Sequence, residues 1–410
     1  MSDLRDRLDQ LSRVQGLMSG SQWQTQAEVL RKQRESGEFE VDRVIPGTVI
    51  GDEDNGFYLI RNEFELDTAQ GSLTLGDALA AAAGHIAFSA ADDDLVEFDP
   101  ETSVFVDTET TGLAGGTGTV TFLVGAGYFS DGKFVLDQCF MRDYHEEEAM
   151  LEYLRGVFSR AETLVSYNGK SFDLPLLRSR FITNRVPFHL DSLMHLDLVH
   201  ASRRFWKKRL QNCSLGNIER HILGIERVGD IPSDEIPRRY LNYLRQRDAR
   251  PLEPVVYHHR MDILSLVNLT AHLSRALSAP QASGFEHQED RLSLLRHQFR
   301  RRLYAEVLEL ADVLLAEMNE DALRRECLET SGMAAKRLRR WEPAERHFRQ
   351  LAEEDPRNYL ARQELAKIYE HRIRDLERAI AVCEEGLAAI EVGGPRFTAN
   401  PFAPDFQKRL

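Results

Sequence analysis

The order of elements along the chain predicts an α/β domain with a mixed sheet and flanking helices, followed by an all-α helical-repeat domain. Two observations predict it. Between Ser103 and Thr183 the apolar pattern runs strand, strand, strand, helix, strand, helix. Beyond residue 288 apolar residues recur only at helical spacing, and Trp341, Ala344 and Phe348 return 35 residues later as Leu376, Ala379 and Cys383.

The N-terminal region, 1–98, reads as helices and short strands without evident chemistry. Leu4, Leu8 and Leu11 recur at helical spacing, and Trp23–Arg34 is a second, polar helix. Val44-Ile45-Pro46-Gly47 is a turn, Phe57-Tyr58-Leu59-Ile60 a strand, Leu73–Ala83 a small helix and Ala90–Asp94 a linker. The α/β domain spans 99–278. Ser130-Asp131-Gly132 is a hairpin turn between Thr119–Phe129 and Lys133–Phe140. Glu146–Ser159 is a helix with Met150, Leu151, Leu154, Val157 and Phe158 on one stripe. Leu164-Val165-Ser166-Tyr167 is a buried strand, and the helix Phe172–Thr183 tolerates Pro175 in its first turn. Helices follow at Ser192–Trp206, Ser214–Leu223, Ser233–Gln246 and His259–Leu277, with Ser214 as an N-cap. Ala279–Gly284 is a Pro/Gly/Ser boundary. Residues 288–392 have the period of tetratricopeptide-like helix pairs, with a plain helical bundle as the competing reading. Tyr304–Glu317 is a candidate for a third unit, Asp355-Pro356 marks a handover, and 393–410 reads as a poorly ordered tail.

The bulk numbers narrow the setting. With 42% hydrophobic and 29% charged residues the chain is a globular one of two or three domains. It has no apolar run long enough for a membrane span, and its charged start is no secretory signal. Four scattered cysteines with no CxxC argue against a disulfide framework or zinc and fit a cytoplasmic protein. A net charge of -14 means that any nucleic-acid contact must come from a local basic patch.

Three stretches carry chemistry. The first is the run Val104–Leu113, in which Asp107 and Glu109 stand two apart at a strand end and so point to one face, followed by a Thr-Thr-Gly turn. Paired carboxylates of this kind suit a hard divalent cation, although a DxE on its own is common at solvated strand ends. The second is Tyr167-Asn168-Gly169-Lys170-Ser171-Phe172-Asp173, which puts Asp173 at the start of a helix after a buried strand, where open α/β sheets keep their sites. Its Gly-Lys-Ser is not a phosphate-binding P-loop, because position 164 is Leu where that loop needs Gly. The third is Tyr257-His258-His259-Arg260-Met261-Asp262, where His258 shares a helical face with Asp262. Together they supply four acids and a histidine, enough for two divalent ions roughly 3.5–4 Å apart.

These stretches resemble the three motifs of the DnaQ-like DEDD exonucleases, a superfamily with the ribonuclease H-like fold. The segments Leu113–Thr119, Asp197-Leu198-Val199-His200, Arg203-Arg204 and Asn212–Leu215 resemble the YprB-type branch more narrowly. The resemblance covers about 99 to 275. It implies Mg or Mn at Asp107, Glu109, Asp173 and Asp262 and 3′-to-5′ removal of nucleotides, with a helicase as a partner by analogy. One departure stands out. The histidine subclass places its histidine five residues before the last aspartate, and the tyrosine subclass its tyrosine four before. Here Tyr257 is five back and His258 four back. His258 is the preferred general base, since a phenol with an ordinary pKa near ~10 is a poor one at neutral pH; His259 ranks lower.

The candidate nucleic-acid contacts are Thr110 and Asn168 in the two turns and a basic run, Arg203, Arg204, Lys207, Lys208 and Arg209, enclosing Phe205 and Trp206. The bland alternative is a solvated helix face with both aromatics in the core. The sequence thus predicts a metal-dependent 3′-5′ exonuclease acting on a single strand or a 3′ end, with helical repeats for a protein partner. Its rival is an adaptor with a weak or inactive nuclease-like domain. A two-carboxylate phosphatase reading of Asp107-Thr108-Glu109 leaves the second and third stretches unexplained.

Overall fold

The alternating and apolar runs of the first half of the chain become strands β1 (Thr48–Gly51), β2 (Gly56–Glu65), β3 (Ala69–Gln70), β4 (Leu73–Thr74), β5 (Ser103–Thr110), β6 (Thr121–Ser130), β7 (Lys133–Phe140), β8 (Thr163–Ser166) and β9 (Met194–Asp197). Helices α1 (Ala83–Ala90), α2 (Glu147–Phe158), α3 (Asp173–Thr183), α4 (Leu198–Leu210), α5 (Ile236–Gln246) and α6 (Glu253–Ser278) accompany them. This is a computed structural model, and it describes residues 28, 36–52, 55–112, 118–279, 284–318, 320–392 and 400–410. The helices expected at Leu4–Leu11 and Trp23–Arg34, most of the glycine-rich segment after Gly112, most of the 279–284 linker and residues 393–399 lie outside the described residues.

One sheet of seven strands has the order β1-β2-β7-β6-β5-β8-β9. The pairs from β1 to β5 are antiparallel, while β8 and β9 run parallel to β5, so the sheet is mixed as expected. Asp131 and Gly132 turn the β6–β7 hairpin with positive φ of 51° and 75°, the geometry that matches the twist of the strands. The stripe on α2 buries Met150, Leu151, Leu154 and Phe158 in the core. Phe122 of β6 stacks on Tyr240 of α5 at 4.0 Å between centroids. Two strands from the N-terminal region, β1 and β2, extend this same sheet.

The chain forms two compact units. The first holds the described residues up to Val199 together with Leu215–His272; the second holds His200–Ser214 and Leu273–Leu410. In the second, α7 (Gln288–Arg300), α8 (Tyr304–Glu317), α9 (Asp321–Arg337), α10 (Trp341–Glu354), α11 (Tyr359–Ile368), α12 (Leu376–Val392) and α13 (Ala403–Arg409) pack in sequence, each on the next. Trp341 and Leu376 each open a helix, and Ala344, Phe348, Ala379 and Cys383 are buried, whereas Leu376 is exposed where Trp341 is half-buried. Among the described residues no helix is long and apolar enough to cross a membrane. All four cysteines are free and buried.

Several expectations need correction. The helix expected over Ser192–Trp206 begins at Leu198, because Met194–Asp197 pairs with β8 as an edge strand. There the chance to extend the sheet outweighs helical periodicity. The helix expected over Leu73–Ala83 is instead a strand pair and a 3-10 turn, Leu75–Ala80, before α1. Ser214–Leu223 is only one α-turn, Leu215–Ile218, followed by a π-turn. The tail contains an ordered element: α13 buries Phe406 against Gly386 of α12, whose missing side chain makes room for the ring.

A row across three neighbouring strands sets the position of α6. Asp107, Gly125 and Gln138 are in register on β5, β6 and β7. A Cβ at Gly125 would collide with Ile263 and with the ring of His259. Gly125→Ala should therefore lower stability by roughly 1–3 kcal/mol, the range for overpacking a close approach. Chemical denaturation of the two proteins tests this, with no change expected in the denaturant slope.

Candidate active site

Strand β5 presents the first pair. Asp107 and Glu109 lie two apart on it, and the register with β6 shifts between Glu109 and Thr110. Asp173 opens α3, and a strained turn delivers it there. Asn168 has φ of 67°, and the backbone N–H groups of Asn168 and Lys170 donate to the Asp197 carboxylate at 2.7 and 3.0 Å. Gly169 must be glycine, since a Cβ would run into the Ser166 side chain. Thr108 Oγ1 then donates to Asp173 Oδ1, tying the second stretch to the first.

Helix α6 brings the third. His259 is fully buried and is held at both ring nitrogens. Gln138 Nε2 donates to its Nδ1 at 3.0 Å, and its Nε2–H donates to the Asp107 backbone carbonyl at 3.0 Å. Burial pushes its pKa down to about 4, so the ring stays neutral and serves as a strut. His258, one residue earlier, faces the carboxylates. A carboxylate only accepts, so the 2.7 Å contact to Asp230 Oδ1 puts the proton on His258 Nδ1. Nε2 is left towards Asp262 Oδ2 and Ser233 Oγ, each at 3.4 Å. Tyr257 is turned elsewhere, with the Arg260 guanidinium over its ring at 5.5 Å.

The electrostatics are those of crowded acids. Burial raises Asp107 and Glu109 well above the usual carboxylate range, and the charges of Asp262 and Asp173 raise both further. Burial pushes Asp173 up to about 6, despite the Thr108 hydrogen bond that opposes it. Arg227 is the counter-charge. It pairs with Asp262, with both oxygens of Glu219 and with Asp230. Donor atoms of Glu109, His258 and Asp262 lie within 4.8 Å of one another, so these residues fit a divalent cation. Asp107 and Asp173 are outside that three-residue cluster, and the charge of Asp173 helps to raise Asp107.

The structure thus brings together Asp107, Glu109, Asp173, His258 and Asp262. Thr110 Oγ1 donates to the Gly112 carbonyl, and Asn168 belongs to the turn described above. The basic run is in the other compact unit, where Lys208 pairs with Glu326 and Arg209 with Asp290. Phe205 and Trp206 are buried, which removes them as stacking platforms. Sequence reasoning missed Arg227, Glu219 and Asp230. Arg227 and Asp230 sit in an irregular segment with no period to betray them, and Glu219 looks like any helical surface acid. Asp197 had only its place in the Asp-Leu-Val-His segment as a signal.

A mixed sheet with carboxylates on an inner strand and a helix-borne histidine and aspartate defines a ribonuclease H-like domain. The family model described as the RNase_H superfamily matches residues 104–274. The "Uncharacterized protein YprB" of Bacillus subtilis (strain 168) is 30% identical over 290 residues, 69% of this chain and 68% of that protein. The chain belongs to the RNase H superfamily, on the branch that includes YprB.

Glu109→Gln removes one of the repelling charges. In metal-free protein it should raise the thermal midpoint by roughly 2 °C or more, while the stabilisation by added Mg or Mn expected of the parent should shrink or vanish. Thermal melts with and without each ion give both readings. A midpoint that falls in EDTA would contradict the crowding argument.

Proposed function

We propose that this protein is a metal-dependent 3′-5′ exonuclease that hydrolyses phosphodiester bonds of a single strand or a 3′ end. The observation that carries the reading is the cluster of Glu109, His258 and Asp262, with Asp107 and Asp173 within reach of its charges. The four carboxylates would hold two divalent ions, Mg or Mn. When bound, such ions polarise the phosphoryl oxygens and neutralise charge on the attacking and leaving oxygens. The protein's own groups do the rest. Asp230 holds the His258 ring so that Nε2 can accept the proton of the attacking water. The water oxygen bonds to phosphorus, the bond to the 3′ oxygen breaks, and that oxygen takes a proton from solvent water, so the shortened strand keeps a 3′ hydroxyl and the released nucleotide a 5′ phosphate. Crowded carboxylates exclude a bare phosphate, so substrate binding is coupled to metal.

One observation favours the adaptor reading. Arg227 takes up an Asp262 oxygen that a metal would need, which would weaken metal binding. The two readings part on metal dependence. On the exonuclease reading, wild-type protein releases nucleotides from labelled single-stranded DNA or RNA with Mg or Mn, and Asp107→Ala or Asp173→Ala abolishes release with the fold intact by circular dichroism. If wild-type protein releases nothing from any 3′ end with either ion, the adaptor reading stands.

The base has its own test. His258→Ala should slow release by on the order of 10²–10⁴, and Tyr257→Phe should do much less. The reverse ranking in single-turnover rates would move the role to Tyr257. For the second unit we propose tetratricopeptide-type repeats that dock a protein partner, a helicase by analogy. The 35-residue spacing of α10 and α12 supports this.

A further inference from the structure

The helical unit carries a concentration of positive charge that the exonuclease reading does not use. From His200 onward, α4 packs antiparallel to α7. Arg209 pairs with Asp290 at 2.8 Å, and the Phe205 ring lies 5.3 Å from Phe285 and 5.7 Å from His297 between centroids. Continuing along that seam brings Arg204 to Arg300 and Arg301. Burial and then the charges of those two arginines lower the Arg204 pKa. Neither 200–209 nor 296–302 contains an Asp or Glu. Acids from elsewhere match only part of this charge: Glu326 takes Lys208 and Arg296, and Asp290 takes Arg209. Arg203, Lys207, Arg300 and Arg302 are exposed and make no ion pair among the described residues.

Such an excess is costly in itself. Like charges are pressed together at the end of α7, where two or three consecutive arginines exceed what one helix C-terminus needs. A dense anion offsets the cost. Arginine's planar fork matches phosphate with two parallel hydrogen bonds, and a patch that fans out from two helices suits a repeating backbone better than a single anion. We propose that Arg203, Arg204, Lys207 and Arg300–Arg302 form a binding surface for the phosphate backbone of a nucleic-acid strand. The choice of nucleic acid as the polyanion rests on the nuclease reading; the surface itself does not.

The test uses full-length protein in EDTA, so that no outcome depends on the carboxylate centre. Binding of a fluorescein-labelled oligonucleotide is followed by anisotropy over a range of KCl concentrations. Each phosphate contact on a single strand contributes about 0.7 to the slope of log affinity against log salt. Changing the four exposed cations together, Arg203→Ala, Lys207→Ala, Arg300→Ala and Arg302→Ala, should flatten the slope by roughly 1.4–2.8, for two to four contacts. Replacing the three arginines by Lys should restore most of it. An unchanged slope overturns the proposal, and so does a lowered thermal midpoint with an unchanged slope, which would assign the arginines to helix capping. Equal competition by poly-glutamate of matched charge also overturns it, in favour of an acidic peptide. Failure of wild-type protein to release nucleotides in Mg or Mn is a separate result, and it bears on the exonuclease reading alone.

Discussion

Everything at the carboxylate centre depends on how His259 is seated. Its ring spans a row of three strands, taking a hydrogen bond from Gln138 of β7 and giving one to the Asp107 carbonyl of β5. Between them Gly125 of β6 leaves the space the ring fills. Each hydrogen bond contributes modestly, about 1 kcal/mol. Their greater effect is geometric, because they fix both the rotation of α6 and its height above the sheet. With His259 pointing down into the row, helical geometry turns its neighbour His258 and the next-turn Asp262 towards the open end of β5. A helix rotated by one residue would present Tyr257 instead. The histidine beside the site therefore acts as a strut, and its neutral state at ordinary pH is a condition of that task.

That docking creates the cost that follows. Once α6 is seated, Asp262 joins Asp107, Glu109 and Asp173 at one sheet edge, and the charges of Asp262 and Asp173 raise Asp107 and Glu109. A fold under selection for stability alone would not keep this arrangement. Arg227 offsets part of it by bridging Asp262, Glu219 and Asp230. The same arginine contacts the His258 carbonyl at 3.3 Å, so His258, its partner Asp230 and Asp262 share one cation. The second shared cost lies in the turn at Asn168, whose left-handed backbone is held by Asp197. Local strain and charge repulsion thus gather at one sheet edge, which is how functional centres differ from packed cores.

Much of this was legible in the sequence, and the reasons differ by element. The strands β5 to β8 and the stripe of α2 follow strong local periods. The carboxylates could be read because their spacing places them on one face of a strand or at a helix start, whatever surrounds them. Helical spacing likewise put His258 on the face of Asp262. Contacts distant in the chain could not be read. Nothing in the sequence says that Gln138 hydrogen-bonds a helix residue over a hundred positions later, or that Arg227 closes on Asp262. Strand β9 was misread because four residues carry little period, and its pairing with β8 decides its state. The basic run was seen as charge, but its division between ion pairs and exposed cations depends on α7 and α9, which the run itself does not predict.

The chain's overall acidity then has a physical meaning. A net charge of -14 repels a polyanion at a distance, and salt in solution confines that repulsion to about 8–10 Å. Contact must come from places where the local sign is reversed. The chain supplies such reversal in two different ways. At the carboxylate centre the positive charge is borrowed, since four acids can receive phosphate only with divalent cations between them. On the helical unit it is built in, as arginines whose charge pH cannot remove. On the two proposals, the first kind of site would depend on metal and discriminate by geometry, whereas the second would depend on ionic strength and accept any sequence.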